Sequence, residues 1–306
     1  RAETVGIDTS DYINLYWQHV IQTPLNANFI FNRESGYFLL TKLISFISTE
    51  YPFLLIIVSA IPIILLYITV YKYSKDVVLS MIVFIALRPY AFLFTGIRQS
   101  IALGICFYSY RFIKEKRFIP FAVCVLVATT FHFSAIVFLS AYFFSKIKLN
   151  IKNFILISLM VPILFLLRNP ILTMFKDFFV GLGYHYPLDQ SREGSTGTSL
   201  VYFMIFIIGL WHRKQMIQQD EKVDILFIFV FLSICLYILG SVSQPFIRIA
   251  MYFGWFIVLF LPQITNIFKI GKDRFLVKFI LYAILFAQFL YFGPGFTLVP
   301  YKFFWQ

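Results

Sequence analysis

The sequence predicts an all-α, polytopic transmembrane helical bundle. Of its 306 residues, 60% are hydrophobic and 13% are charged, and the mean hydropathy is +0.83. The charged residues lie mainly between long apolar runs, as is typical of integral membrane proteins. Because lipid cannot satisfy a bare backbone amide, the spans must be helices or a closed barrel, and apolar runs without a period of two favour helices.

The basic residues are concentrated in short loops between the apolar runs. In a soluble protein the net charge of +12 would suggest a nucleic-acid partner, but this clustering is the positive-inside pattern of membrane proteins, so no nucleic acid is expected. It places 16 of the 26 Lys and Arg on the cytoplasmic side. These residues lie in the segments 72–75, 111–117, 146–152, 212–214 and 269–274, and at Lys222 and Lys278.

This charge pattern predicts about ten spans in one integral membrane domain, residues 1–306. The spans are expected at 53–71, 77–96, 99–113, 118–131, 133–144, 154–167, 200–211, 225–240, 246–261 and 275–292. The N-terminal segment 1–36 and the loop 168–199 then lie on the external face. We expect an upstream helix before residue 1, and a short interfacial or half-inserted helix at 37–47, which contains Lys42.

The apolar stretch 118–144 is flanked by basic segments at both ends. A single tilted helix would place these flanks on opposite sides of the membrane, whereas two short passes or a re-entrant hairpin keep them on one side. Each half would be about 20 Å long against about 30 Å of hydrocarbon. We therefore expect a hairpin with His132 at its apex, and a single span is the alternative.

Three basic side chains, Arg98, His132 and Arg248, are predicted at membrane depth toward the external side. Ionisable residues at this depth are often functional. Arg98 and Gln99 begin a helix, where free N–H groups and the helix dipole favour an anion such as phosphate. The alternative is a snorkelling arginine at the membrane edge.

The other polar residues in apolar stretches also have two interpretations. His132, with Ser134 nearby, offers a neutral imidazole that could act as a base or be a hydrogen-bonded packing residue. Arg248 and Tyr252 share a helix face and could hold an anion and stack on a sugar, or anchor an interface. Arg88, in mid-span, is expected to face the bundle interior.

The external loop 168–199 combines an apolar segment with a Gly- and Ser-rich end. It could lie on the membrane and close over a substrate, with Tyr184 and Tyr186 stacking on sugar rings. It could equally be a solvated connector. Shortening 194–198 would slow turnover without altering membrane insertion only if the loop is a lid.

Four motifs along the chain resemble the EpsG family, which comprises Wzy-type polymerases of bacterial capsule, exopolysaccharide and O-antigen chains. The resemblance extends over most of the chain. In that family a transmembrane helix usually precedes the first external loop. The motifs are G-I-D-T-S-D-Y (6–12), R-Q-S-I-A (98–102), F-H-F-S-A (131–135) and R-I-A-M-Y-F (248–253).

The resemblance implies an inverting, metal-independent glycosyl transfer on the outer side of the bacterial inner membrane, without a cofactor. The expected partners are an undecaprenyl diphosphate-linked oligosaccharide donor, a lipid-linked acceptor and membrane lipids. A chain-length regulator is a candidate protein partner. An architecture like that of GT-C glycosyltransferases is compatible with these expectations.

The same resemblance suggests roles for the polar residues. His132 is the first candidate for the catalytic base, and Asp8 and Asp11 are its rivals, since GT-C enzymes often keep an acidic catalyst in the first external loop. Asp11 could instead be the N-cap of a helix. The candidates for diphosphate binding are Arg98, Gln99, Arg248 and Arg88, and those for sugar binding are Tyr252, Tyr184, Tyr186 and Ser134.

Three alternatives remain open from the sequence. A lipid-linked glycan flippase or transporter would also place charges in a membrane cavity, although the matching interrupted spans of such proteins are not evident. A membrane acyltransferase could use His132 and Arg98, but no G-x-S-x-G turn is present. An O-antigen ligase would differ from a polymerase in its acceptor.

Overall fold

A computed structural model describes most of the chain. The described residues are 5–6, 8–24, 34–87, 89–150, 195–241, 244–268, 271–292 and 301–303, with isolated positions between 152 and 177. Every regular element in these ranges is helical, which confirms the predicted all-α class.

The chain divides into two compact units. The first contains Arg1–Leu139 and Leu261–Gln306, and the second contains Ser140–Phe260. The single membrane domain of the sequence analysis stays a prediction.

The first unit contains most of the N-terminal helices. Helix α1 has three consecutive segments, Thr9–Asp11, a π-helical turn Tyr12–Trp17, and Gln18–Gln22. The elements that follow are α2 (Ser35–Ser45), α3 (Tyr51–Tyr73), α4 (Val77–Ala86), α5 (Pro89–Phe92), α6 (Ile97–Lys114), α7 (Phe118–Phe131) and the 3₁₀ segment Phe133–Leu139.

The second unit contains shorter helices around one long apolar helix. Its elements are α8 (Ser140–Phe144), α9 (Ser195–Trp211), α10 (Arg213–Gln219), α11 (Val223–Gly240) and α12 (Gln244–Gly254). Helix α13 (Ile257–Asn266) begins in this unit and ends in the first, to which α14 (Lys272–Phe292) also belongs.

Two described helices are long and apolar enough to cross a bilayer, α3 and α11. Helices α12 and α13, bent by 44° relative to each other, could form a third span. The prediction of ten spans is therefore not confirmed. One reason is that α4 ends at Ala86, shortly before Pro89, so the predicted span 77–96 is divided and α4 is only about 15 Å long.

The stretch 118–139 folds back on itself at His132. Helix α7 ends at Phe131, and His132 is extended, with φ −153° and ψ 118°. The ring of Phe121 near the start of α7 lies 5.8 Å from that of Phe138 near the end of the 3₁₀ segment. The predicted break at His132 is confirmed, and a single continuous helix does not form.

Lys42 has a structural explanation. Its side chain is buried in the first unit, and Nζ donates hydrogen bonds to the carbonyl oxygens of Val20 at 3.0 Å and Ile21 at 3.3 Å. These carbonyls lie in the last turn of α1. A cation at this position satisfies carbonyl acceptors that have no partner within the helix, and it interacts favourably with the negative end of the helix dipole. Lys42 thus fixes α2 against α1.

Candidate functional site

The sequence-predicted Arg98 lies at the second position of α6, two residues after the N-cap residue Gly96. Its Nε donates to the Tyr12 hydroxyl at 3.3 Å, and Nη2 donates to the Tyr16 hydroxyl at 3.2 Å. Its Nη1 forms an ion pair with the carboxylate of Glu34. Side chains from α1 and from the residue before α2 therefore converge on the guanidinium carried by α6.

The π-helical turn of α1 presents both tyrosines to Arg98. The guanidinium carbon lies 5.5 Å from the ring centroid of Tyr12 and 4.6 Å from that of Tyr16, and the two rings are 5.5 Å apart. Single π turns are frequent at functional sites. Cation–π contacts and the phenol hydrogen bonds together hold the arginine in one orientation.

Glu34 joins Arg98 to His132. Its Oε1 lies 3.1 Å from His132 Nδ1, while Oε2 pairs with Arg98. The exposed fractions of the Glu34, Arg98 and His132 side chains are 9%, 22% and 16%, so water screens these charges only partly. We call Arg98, Glu34 and His132 the charged triad.

The backbone of Glu34 is held in an uncommon conformation. It is left-handed, with φ 62°, immediately before α2, and its carbonyl accepts hydrogen bonds from the N–H groups of Tyr37 and Phe38 at 3.0 and 3.3 Å. A non-glycine residue at positive φ is unusual and persists where its surroundings enforce it. The start of α2 thus fixes the position from which the Glu34 side chain reaches the triad.

A close crossing of α2 and α7 brings the two ends of the triad together. A Cβ at Gly36 would lie 2.1 Å from Thr130 Oγ1 and 2.9 Å from Thr130 Cβ. Only glycine permits this approach. Since Glu34 precedes Gly36 by two residues and His132 follows Thr130 by two, the crossing sets the distance between the carboxylate and the imidazole.

Tyr12 closes the buried side of the triad. Burial raises the pKa of its phenol above the ordinary value, although the neighbouring Arg98 opposes this shift. The phenol therefore remains protonated at neutral pH. Tyr37 packs edge-on against it at 6.0 Å and extends the aromatic wall.

The first unit also contains the predicted residues Gln99, Ser134, Asp8 and Asp11. Gln99 is buried beside Arg98 on α6, and Ser134 is partly buried in the 3₁₀ segment after His132. Asp8 occupies the N-cap position of α1 without a side-chain cap. Asp11 is exposed and precedes the π-helical turn Tyr12–Trp17, but its backbone is helical and its side chain makes no capping hydrogen bond.

The remaining predicted residues belong to the second unit or lie outside the described residues. Arg248 is partly buried and Tyr252 is 1% exposed on α12 of the second unit. The convergence of Arg98 with Arg248 stays a prediction. Arg88, Tyr184 and Tyr186 lie outside the described residues.

Glu34 is the functional candidate that sequence reasoning missed. It is separated from Arg98 by 64 residues and from His132 by 98, so no spacing rule connects them. The only available signal was an acidic residue just before an apolar segment, in a chain with 14 Asp and Glu. That signal is too weak to distinguish Glu34 from an ordinary helix-start residue.

No curated protein and no solved structure matches the chain in sequence. A family model described as the EpsG family matches residues 1–303, nearly the whole length. This match agrees with the resemblance carried by the motifs around Arg98 and His132, both of which belong to the charged triad. The chain is therefore a member of the EpsG family.

Proposed function

We propose that this protein polymerises lipid-linked oligosaccharide repeat units in the membrane. It would transfer a glycan from undecaprenyl diphosphate to a lipid-linked acceptor on the outer side of the bacterial inner membrane. Membership of the EpsG family supports a role in polysaccharide biosynthesis. The observation that supports a reaction at this place is the charged triad, in which a histidine and an arginine are linked by one carboxylate.

Arg98 is proposed to bind the donor diphosphate. A guanidinium has five N–H donors, and three of them are used by Tyr12, Glu34 and Tyr16. Its place in the first turn of α6 adds the backbone N–H groups of a helix N-terminus, which favour an anion. Gln99, Arg248 and Arg88 remain proposed further contributors to the same diphosphate.

His132 is proposed as the general base for the acceptor hydroxyl. The imidazole is held through Nδ1, so Nε2 is the nitrogen that would accept the proton. Transfer of a glycan from a diphosphate requires a base for the acceptor hydroxyl and positive charge near the leaving diphosphate. Protein side chains can supply both, so we propose that the reaction needs no metal. Asp8 and Asp11 remain rivals for the base, and Ser134 for a sugar contact.

The first experiment is glycan laddering in cells that lack their own polymerase. The cells are complemented with the wild-type protein or with Arg98→Ala, His132→Ala or Arg248→Ala at matched membrane levels. We expect wild type to restore the ladder and the three variants to lose it. Proton transfer by a positioned base contributes about 10²- to 10⁴-fold, enough to abolish visible polymer for His132→Ala.

Two substitutions serve as matched controls. Arg117→Ala removes an arginine whose side chain is 60% exposed, and His19→Ala removes an exposed histidine of α1; both should retain the ladder. Failure of wild type to make a ladder with its cognate lipid-linked unit would reject the function. Ladders from all three site variants would keep the function but reject the site.

A further inference from the structure

We infer that Glu34 is a positioning residue of the reaction, which holds His132 in its basic tautomer and stabilises the imidazolium formed when it takes a proton. This inference rests on the proposed function and adds to it a residue that neither the motifs nor the family match assigns. It is carried by the 3.1 Å contact between Glu34 Oε1 and His132 Nδ1 and by the Arg98 ion pair on the other oxygen.

The tautomer of His132 follows from the hydrogen-bonding capacity of its partner. A glutamate paired with arginine at neutral pH is a carboxylate, which only accepts hydrogen bonds. Nδ1 must therefore carry the hydrogen of the contact. In the neutral imidazole only one ring nitrogen is protonated, so Nε2 is left as the basic nitrogen.

This arrangement fits the proton balance of the proposed transfer. The acceptor hydroxyl gives its proton to His132 Nε2 while its oxygen forms a bond to the anomeric carbon of the donor sugar. The bond from that carbon to the phosphate oxygen breaks, and the diphosphate leaves with the electron pair. His132 is then an imidazolium, and the adjacent Glu34 carboxylate stabilises its charge.

Arg98 has a second role in this geometry. Its Nη1 pairs with Glu34 Oε2, while Tyr12 and Tyr16 fix the guanidinium from the other side. Both carboxylate oxygens are thus engaged, so Glu34 is oriented by Arg98 and is not itself the base. In the described part of the chain, the titratable and charged groups around Glu34 include Arg98 from α6, Tyr12 and Tyr16 from α1, and Tyr37 from α2.

The test uses purified protein in proteoliposomes with its lipid-linked repeat unit, and measures initial rates between about pH 5 and pH 9. The variants are Glu34→Gln, which removes the charge, Glu34→Asp, which keeps it, His132→Ala, and the double variant Glu34→Gln/His132→Ala. Glu50→Gln is the matched control, because Glu50 is exposed at the start of α3. Rates are normalised to folded protein.

Glu34→Gln should reduce the rate about 10- to 100-fold. This loss is smaller than the full contribution of a general base, because His132 is still present. It should also move the acidic limb of the pH–rate profile to lower pH, because an imidazolium without a neighbouring carboxylate loses its proton more readily. Glu34→Asp should recover part of the rate. In the His132→Ala background, Glu34→Gln should cause no further loss, since the two residues act as a unit.

A readout without turnover separates this inference from the proposed function. In histidine-labelled protein, the nitrogen chemical shifts of His132 should report the Nδ1–H tautomer in wild type and a mixture in Glu34→Gln. If the wild-type protein makes no polymer, the proposed function fails. The tautomer measurement does not require turnover, so it still tests whether Glu34 positions His132. A wild-type rate in Glu34→Gln, an unmoved acidic limb, a full additional loss in the double variant, or an unchanged tautomer would each overturn the inference.

Discussion

Substitution of Gly36 by alanine should separate the two ends of the charged triad. The nearest contact of the new Cβ, to Thr130 Oγ1, must lengthen from 2.1 Å to at least 3.0 Å, an increase of 0.9 Å. Rotation of the hydroxyl would break its 2.7 Å bond to the Val127 carbonyl and leave Thr130 Cβ at 2.9 Å. If α2 and α7 move apart by the same 0.9 Å, the 3.1 Å distance between Glu34 Oε1 and His132 Nδ1 increases to about 4.0 Å. This distance is beyond hydrogen-bonding range.

Stability and activity should respond differently to Gly36→Ala. Overpacking costs about 1–3 kcal/mol, but alanine regains about 1 kcal/mol of helix propensity, so the thermal midpoint should fall only modestly. Misplacement of catalytic groups by about 1 Å can cost about 100-fold in rate. The assay compares polymerisation rates in proteoliposomes, per folded protein, with thermal unfolding in detergent.

A second substitution provides the compensating test for this crossing. Thr130→Gly removes both the hydroxyl and the Cβ, and leaves the Thr130 backbone carbon at 3.2 Å as the next contact, so it should restore most of the rate. Gly209→Ala is the control, since it inserts the same methyl group 2.5 Å from Phe260 Cζ in the second unit. A wild-type rate in Gly36→Ala would refute the argument that this crossing sets the geometry of the site.

Three further substitutions test individual contacts. Arg98→Lys keeps the charge but loses the forked geometry of the guanidinium. Because a charge-assisted hydrogen bond contributes about 1.5–3 kcal/mol, we expect the rate to fall by about 10- to 100-fold. Normal turnover would show that Arg98 is not part of the site. Lys42→Met abolishes two bonds to the end of α1 and should lower the thermal midpoint, whereas an unchanged midpoint would contradict the capping role. Asp76 accepts the Leu79 N–H at 3.0 Å as the N-cap of α4, so Asp76→Ala should cost about 1 kcal/mol and Asp76→Asn less; equal losses would show that the charge, not the cap, matters. Burial alone would raise the pKa of Asp76, but the hydrogen bond from Leu79 and the ammonium of Lys278 outweigh it and lower the pKa, so this stability is present above about pH 4 and is lost as the pH falls through the lowered pKa.

The long apolar helices and the main break between helices could be predicted from the sequence, because they depend on composition and local chain preferences. Apolar runs identify α3 and α11, and the basic flanks of 118–144 identify the break at His132. The number of spans could not be predicted in the same way. Pro89 interrupts one apolar run, and hydropathy alone does not register where a helix ends.

The candidate site could be predicted only in part, for a similar reason. Arg98 and His132 were identifiable because a charge in an apolar stretch is costly and therefore informative. Glu34 lies in a polar segment, where an acidic residue carries no such cost, and its partners are distant in sequence. Its role depends on the crossing of α2 with α7, which the sequence records only as one glycine at position 36 and one threonine at position 130.

The pairing of Arg98 with Glu34 changes what the proposed reaction requires of the site. The ion pair is neutral as a whole, so with a neutral His132 the triad adds little net charge to attract a diphosphate before reaction. Once His132 has accepted the acceptor proton, the triad carries one net positive charge. That charge forms as the leaving diphosphate gains electrons, and stabilisation matched to developing charge lowers the barrier more than tight binding of the ground state. Glu34 would thus link proton removal from the acceptor to departure of the donor lipid.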